Sequence, residues 1–236
     1  MLINSIYPPS CPVCAGPAPV INGKRQRICT ACRSRLKYIQ EPYCLKCGKE
    51  IDDTSKEYCY DCMHCDHVYD FGRAVFSYTE GIKTSIYRYK YKNKREYAAF
   101  YAEEMASMWG RDIKKWEADA IIPVPLHEKK YRIRGYNQAQ LIAMHLGKIL
   151  NIPVDNNLLV RVRNTTPMKE LNDSERINNL ENAFAITENH IKYNKIIIVD
   201  DIYTTGSTID ECARILKHYG AQKVFFVCIC AGIGMV

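Results

Sequence analysis

The sequence contains no run of about 18 apolar residues and no basic start leading into a continuous apolar stretch, so neither membrane insertion nor an export signal is expected. No G-x-x-x-x-G-K-[ST] stands anywhere, which argues against a P-loop nucleotidase. A dinucleotide fingerprint is missing too, since Gly232 and Gly234 have no helix after them. Beyond duplicated cysteine pairs there is no repeat and no low-complexity segment. Without an export signal a cytoplasmic chain with reduced thiols is expected. Its twelve cysteines then read as metal ligands rather than as a disulfide framework.

What is present suits a folded globular chain. At 236 residues, with 47% hydrophobic and 25% charged residues, it can build one full-sized core and a small appendage. The formal net charge of +7 would fall to +3 if eight thiolates held two Zn²⁺ ions, so a polyanion partner must be argued from local patches.

Nine of the twelve cysteines lie in the first 65 residues, together with Pro8, Pro9, Pro12, Pro17, Pro19 and Pro42. From about Arg73 the character changes. Ala74-Val75-Phe76, Ala120-Ile121-Ile122, Ile196-Ile197-Ile198-Val199 and Val224-Phe225-Phe226-Val227 read as strands buried on both faces. Asn137 is placed to cap a helix, with Gln140 reaching back and Ile142, His145, Leu146 and Ile149 on one face. A second helix spans about Ser207 to Tyr219, burying Ile209, Cys212, Ala213 and Leu216, and Gly220 ends it. Alternation of strands and helices implies an α/β fold, a mostly parallel sheet flanked by helices, over residues 71–236. Residues 1–70 form a separate cysteine-rich head.

In the head, Cys11 and Cys14 form one CxxC, followed after fourteen residues by Cys29 and Cys32; Cys44 and Cys47 are followed after eleven by Cys59 and Cys62. Each CxxC turns two thiolates toward one metal, and two such knuckles close a tetrahedral shell with no open position, the pattern of structural zinc. Another pairing order, or an iron–sulfur cluster, has the same ligands. Cys65 leaves the last ligand open, and His64 and His67 offer nitrogen instead. A segment this poor in aliphatic residues would draw much of its folding free energy from metal, on the order of 10 kcal/mol.

The most informative stretch is Ile196 to Thr208: a buried strand, then the carboxylates Asp200 and Asp201, then hydroxyls around one glycine entering a helix. Backbone N–H groups, the Thr204, Thr205, Ser207 and Thr208 hydroxyls and the helix dipole can surround one phosphate without a lysine. The acids at the carboxyl end of the strand suit paired sugar hydroxyls.

VDDIYTTGST resembles the phosphoribosyl pyrophosphate motif of type I phosphoribosyltransferases. Pro123-Val124-Pro125-Leu126-His127 and Arg134-Gly135-Tyr136-Asn137-Gln138-Ala139 resemble the PVPLH and RGFNQA signature of the ComF (late competence protein ComFC) family. A double zinc ribbon ahead of a transferase-like domain fits the same family. The resemblance implies that phosphoribosyl pyrophosphate, or a related nucleotide, is bound with Mg²⁺. Val199, Asp200 and Asp201 would hold the ribose, Thr204, Thr205, Gly206, Ser207 and Thr208 the 5-phosphate, and the turn Val124, Pro125, Leu126 and His127 the pyrophosphate. Arg161, Arg163, Thr165 and Pro167 resemble the family's RxRxTxPQ segment, with Met168 where glutamine is usual, and Arg176 and Asn179 match the RxxN that follows. Asp200, Asp201, Arg161 and Arg163 would carry the transfer. A role in uptake of transforming DNA beside a helicase-like partner is implied as well, either as a transferase or as a non-catalytic coupling module.

Two basic stretches complete the reading. Lys83, Arg88, Lys90, Lys92, Lys94 and Arg95 interleave with Tyr87, Tyr89 and Tyr91, a pattern that fits either a track for single-stranded DNA or tyrosines buried with their lysines solvated. Lys129, Lys130, Arg132 and Arg134 follow the pyrophosphate turn and could neutralise it, with His127 assisting the leaving group. Cys212, Cys228 and Cys230 read as small core residues.

Overall fold

The computed structural model describes residues 9–163, 183–188 and 190–232. In the head, a small hairpin of β1 (Val20–Ile21) and β2 (Lys24–Arg25) precedes two short helices, α1 (Thr30–Arg33) and α2 (Tyr60–His64). The four apolar runs become parallel strands: β3 (Phe71–Ser77), β4 (Ala120–Pro123), β7 (Lys195–Tyr203) and β8 (Lys223–Ala231). They are ordered β3-β8-β7-β4, so the last strand in sequence occupies an inner position. A separate antiparallel pair, β5 (Leu159–Arg161) and β6 (Phe184–Ile186), stands beside it.

Because successive strand residues face opposite sides, the sheet sorts its residues into two layers. Ile197, Val199, Phe225 and Val227 pack toward α3 (Glu80–Tyr91), α4 (Tyr97–Lys115) and α6 (Gln138–Leu150), meeting Ile86, Tyr101, Met105 and Leu146. Ile196, Ile198, Phe226 and Cys228 face α7 (Ser207–His218), which buries Ile209, Cys212, Ala213 and Leu216 as the sequence predicts. Cys212, Cys228 and Cys230 are fully buried core residues. Neither sheet edge is bare. Residues 37–39 bond along β3, with Ile39 N donating to Val75 O at 2.9 Å, and Ile121 of β4 bridges Val154.

The head does not stand apart from this core. Cys11, Val13, Ile28, Cys32 and Leu36 join the layer of α3 and α4, whereas Ile39, Cys44, Cys47, Cys59 and Tyr69 join the layer of α7. Arg33 and Tyr38 both bind Glu104 of α4, at 2.8 Å each. The core therefore runs across residue 70, the boundary expected from composition. Among the described residues no helix is long and apolar enough to cross a membrane.

Asn137 caps α6 as expected: its Oδ1 accepts from Ala139 N at 3.0 Å, while its Nδ2 donates to Val124 O at 3.0 Å. The buried face, however, is Ala139, Ile142, Ala143, Leu146, Gly147 and Leu150; Ile149 is 47% exposed and His145 also faces out. Gly147 decides this rotation, since an added Cβ would lie 2.5 Å from Val154 Cγ2, so that side must turn inward. Asn137→Ala should lose both bonds and cost about 1–2 kcal/mol, read as a lower urea midpoint; an unchanged midpoint would contradict the cap.

Candidate functional site

The eight paired cysteines gather in sequence order. Cys11, Cys14, Cys29 and Cys32 form one group and Cys44, Cys47, Cys59 and Cys62 the other, with the ligand atoms of each within 4.8 Å of one another. Sulfur separations of 3.7 Å (Cys14–Cys29), 3.5 Å (Cys11–Cys29) and 3.6 Å (Cys47–Cys59) are close to the roughly 3.8 Å edge of a tetrahedron with Zn–S bonds of about 2.3 Å. Each group is sized for one ion and has no room for a multi-iron cluster. Cys65 is exposed and lies outside the second group. The histidines offered as substitutes are engaged elsewhere, His64 on its own Tyr60 carbonyl at 2.8 Å and His67 on Asp210 at 2.7 Å.

The loop from Thr204 to Thr208 forms a small cup. Asp200, Thr204, Thr205, Gly206, Ser207 and Thr208 all line it, so the acid and the hydroxyls share one space. Thr205 Oγ1 and Ser207 Oγ are hydrogen-bonded at 2.9 Å. Gly206 is the N-cap of α7 with φ +87°, a conformation that leads amides into the cup and strains any L-residue. The strand continues to Tyr203, four residues past the apolar run that ends at Val199, because β8 still pairs with it after β4 has stopped at Pro123.

Strand alternation separates the two acids. Asp200 turns to the cup, whereas Asp201 receives Lys90 Nζ of α3 at 2.9 Å, in an ion pair whose side chains are 17% and 16% exposed. Burial, reinforced by the Asp201 charge, pushes the Asp200 carboxyl up to about 7. Burial would lower Lys90, but Asp201 outweighs it and the net direction is upward. Lys130 is brought down to about 8 by burial and by the positive charges of Arg161, Arg134 and Lys90. Four cations thus surround two acids, an electrostatic surplus suited to a polyanion.

Of the second basic cluster Lys130 and Arg134, one helical turn apart on α5 (Glu128–Arg134), belong to this charged group, Arg134 donating to Gln138 Oε1 at 2.9 Å with its guanidinium over the Tyr91 ring; Lys129 is exposed and Arg132 pairs with Glu128. His127 caps α5 instead of standing free, its Nδ1 accepting from Lys129 N at 3.2 Å. Val124 is buried, its N–H donating to Val199 O at 2.9 Å, while Pro125, Leu126 and His127 form the half-buried turn. Arg161 lies over the Phe184 ring at 5.1 Å and is electrostatically coupled to Asp200, whereas Arg163 is exposed. Thr165, Pro167, Met168, Arg176 and Asn179 lie outside the described residues.

Sequence comparison agrees with this geometry. Residues 2–63 match the family model of the double zinc ribbon domain, and residues 137–234 that of the phosphoribosyl transferase domain. The chain is 32% identical over 207 residues to competence protein F of Haemophilus influenzae, covering 84% of this chain and 87% of that protein. The chain belongs to the ComF family. It is also 30% identical to the DNA utilization protein YhgH of Salmonella typhimurium, covering 86% of this chain and 89% of that protein. With competence protein ComFC of Bacillus subtilis it shares 27% identity, covering 83% and 80%. In this ComF-family chain the transferase match begins at Asn137 and takes in the cup, Asp200 and Asp201. Lys90, Lys130 and Arg134 precede it.

Lys90, read from the sequence as one cation of the basic stretch, is the residue whose place beside the acids sequence reasoning missed. Replacing it with Met would remove the direct ion-pair partner of Asp201 and leave that largely buried charge beside Asp200, so Lys90→Met should destabilise the fold by about 3 kcal/mol. Thermal unfolding at neutral pH reads this, and a variant as stable as the parent would show that the pair contributes nothing.

Proposed function

We propose that this chain binds phosphoribosyl pyrophosphate and transfers its phosphoribosyl group, in the service of DNA uptake. The observation that carries the reading is the shared cup: Asp200 faces the same space as Thr205, Gly206 and Ser207 at the start of α7, with a surplus of cations on its flank. In this reading the 5-phosphate occupies the cup, Asp200 accepts from ribose hydroxyls, and pyrophosphate lies toward Lys130, Arg134 and Arg161. The bond from C1 to the pyrophosphate oxygen breaks, its electron pair leaves with pyrophosphate, and a nucleophile bonds to C1. Fixed cations favour the leaving anion, and positioning supplies the rest.

Among the described residues the only groups of three or more metal-ligating side chains are the two cysteine sets. A Mg²⁺ ion fits here as a companion of the ligand, held by its oxygens with Asp200 as the carboxylate open to it. Its contribution would be to neutralise pyrophosphate charge. A cavity of about 320 Å³ beside the site, walled by Tyr78, Tyr87, Lys90, Tyr91 and Ile202, gives an acceptor room to enter; Ile202 also lines the cup.

The test is pyrophosphate release from phosphoribosyl pyrophosphate across nucleobases, amines and DNA, with Asp200→Asn/Asp201→Asn as control. Release that the control abolishes supports transfer. Tight binding with no release from any acceptor supports the second reading, a coupling module for nucleotide and single-stranded DNA beside a helicase-like motor. That reading is favoured by the exposed Tyr87 and Tyr91, and by the names of the relatives as competence and DNA utilization proteins. In that reading the contact patch is smaller than the basic stretch: Lys90 belongs to Asp201 and Lys94 to Ser10 and Glu96, while Lys83, Tyr87, Tyr91, Lys92 and Arg95 are exposed. Salt-dependent oligonucleotide binding that survives Lys83→Glu/Lys92→Glu would exclude that patch.

A further inference from the structure

The head reaches the phosphate cup through three residues that follow its last CxxC. Asp210, in the first turn of α7, holds two of them: its Oδ1 accepts from Val68 N at 2.7 Å and its Oδ2 bonds His67 Nδ1 at 2.7 Å. Lys217 Nζ, near the other end of α7, donates to Val68 O at 2.7 Å. The third residue, Tyr69, is fully buried, and its hydroxyl bonds that of Tyr203 at 2.6 Å. Tyr203 is the last residue of β7, directly before the loop.

His67 and Tyr203 lie against the loop's glycine. A Cβ added to Gly206 would stand 2.8 Å from Tyr203 Oη and 3.0 Å from His67 Cε1, so the left-handed turn that starts α7 rests on one residue of the strand and one of the head. The His67 side chain is only 3% exposed and stacks on Tyr69 at 4.8 Å. Its Nε2 is buried without a partner among the described residues. Burying a polar atom unpaired is costly, so an apolar ring would fill this space better; the imidazole is explained by its bond to Asp210.

A phosphate site made of backbone amides works only while those amides converge, and misplacement by a fraction of an ångström weakens each contact. We infer that His67 and Tyr69 are positioning residues for the cup, so that the zinc-ribbon head sets the affinity of the α7 loop for a phosphate monoester. The inference rests on the cup being a phosphate site, as proposed above, and does not require transfer to occur. It assigns the two parts of the ligand to separate supports. The monoester depends on the head, whereas pyrophosphate depends on Lys130, Arg134 and Arg161, which His67 and Tyr69 do not touch.

The experiment is calorimetric titration of the full chain with ribose 5-phosphate and, separately, with inorganic pyrophosphate, for the parent, His67→Ala, His67→Asn and Tyr69→Phe. Zinc content and circular dichroism of each variant are measured alongside. The expected result is a loss of about tenfold or more in ribose 5-phosphate affinity for His67→Ala, a smaller loss for Tyr69→Phe, and no change for pyrophosphate. His67→Asn keeps a donor for Asp210 and should recover part of the loss. Variants that bind ribose 5-phosphate like the parent, or that weaken both ligands equally, would overturn the inference and leave the cup reading intact. A parent that does not bind ribose 5-phosphate would sink the cup reading and the inference with it. Should His67→Ala fail to fold, Tyr69→Phe, which removes one oxygen, decides the matter.

Discussion

Cys44→Ser is expected to leave the chain with one zinc ion instead of two and to remove its cooperative unfolding transition. Cys44 and Cys47 are fully buried and Cys59 nearly so, and all three pack with Ile39, Tyr69, Ala74 and Phe226 in the layer that carries the phosphate loop. A structural zinc site contributes on the order of 10 kcal/mol to folding, comparable to the roughly 5–15 kcal/mol net stability of a typical domain. Losing it would also leave buried thiols without the ion that draws them together. Cys65→Ser is the matched control, because Cys65 is exposed and outside the cluster, and it should keep two zinc ions and the parental transition. Metal analysis with thermal unfolding reads both variants. A Cys44→Ser chain with two zinc ions and an unchanged transition would refute the ligand assignment.

The second large effect concerns Asp200. Burial, with the neighbouring Asp201 charge, places its carboxyl at about 7, so at neutral pH the group stands between its two forms. As an acceptor for ribose hydroxyls it works best ionised. Phosphoribosyl pyrophosphate should therefore bind more tightly as pH rises through about 7, and Asp200→Asn should bind about 10–100-fold more weakly at high pH, the worth of a hydrogen bond or two to a charge. The ligand's own titration is common to both proteins, so the difference between their pH profiles isolates Asp200. Stability runs the other way. With its folded value raised above the ordinary carboxylate range, Asp200 adds stability that is fully present below that range and is lost as pH climbs through about 7. Urea unfolding of the unliganded chain should show this decline, and Asp200→Asn should flatten it. Identical pH profiles for parent and variant would place the carboxylate outside the site.

Much of this arrangement is legible in the sequence, for physical reasons that differ by element. Strands buried on both faces must be continuously apolar, so Ile196–Val199 and Val224–Val227 announce themselves. Two CxxC pairs per metal follow from local turn geometry, and the cup from a strand, two acids and a glycine that lie close together in the chain. The rest depends on contacts across distance. Lys90 reads as one cation among six until the fold sets it against Asp201, 111 residues away. The rotation of α6 is not legible, because Ile149 is as apolar as Leu150, and the close approach of Val154 and the Ile152 carbonyl to Gly147 shows in the fold alone. Nothing in the spacing of cysteines tells that the first set rests on α3 and α4 while the second rests near α7. His67 stands out in the sequence only as a possible metal ligand and gives no local signal of its bond to Asp210, which is 143 residues further on.

The inner position of β8 has a consequence for how the protein is made. A ribosome releases both cysteine sets before β3, β4 and β7, and β8 after all of them, yet β3 and β7 join one sheet through β8. Until β8 has emerged, both metal-binding halves stand beside a sheet that is not yet closed. The nascent chain must carry them, loaded or empty, through the synthesis of the strands between, and closure of such long-range pairings is intrinsically slow.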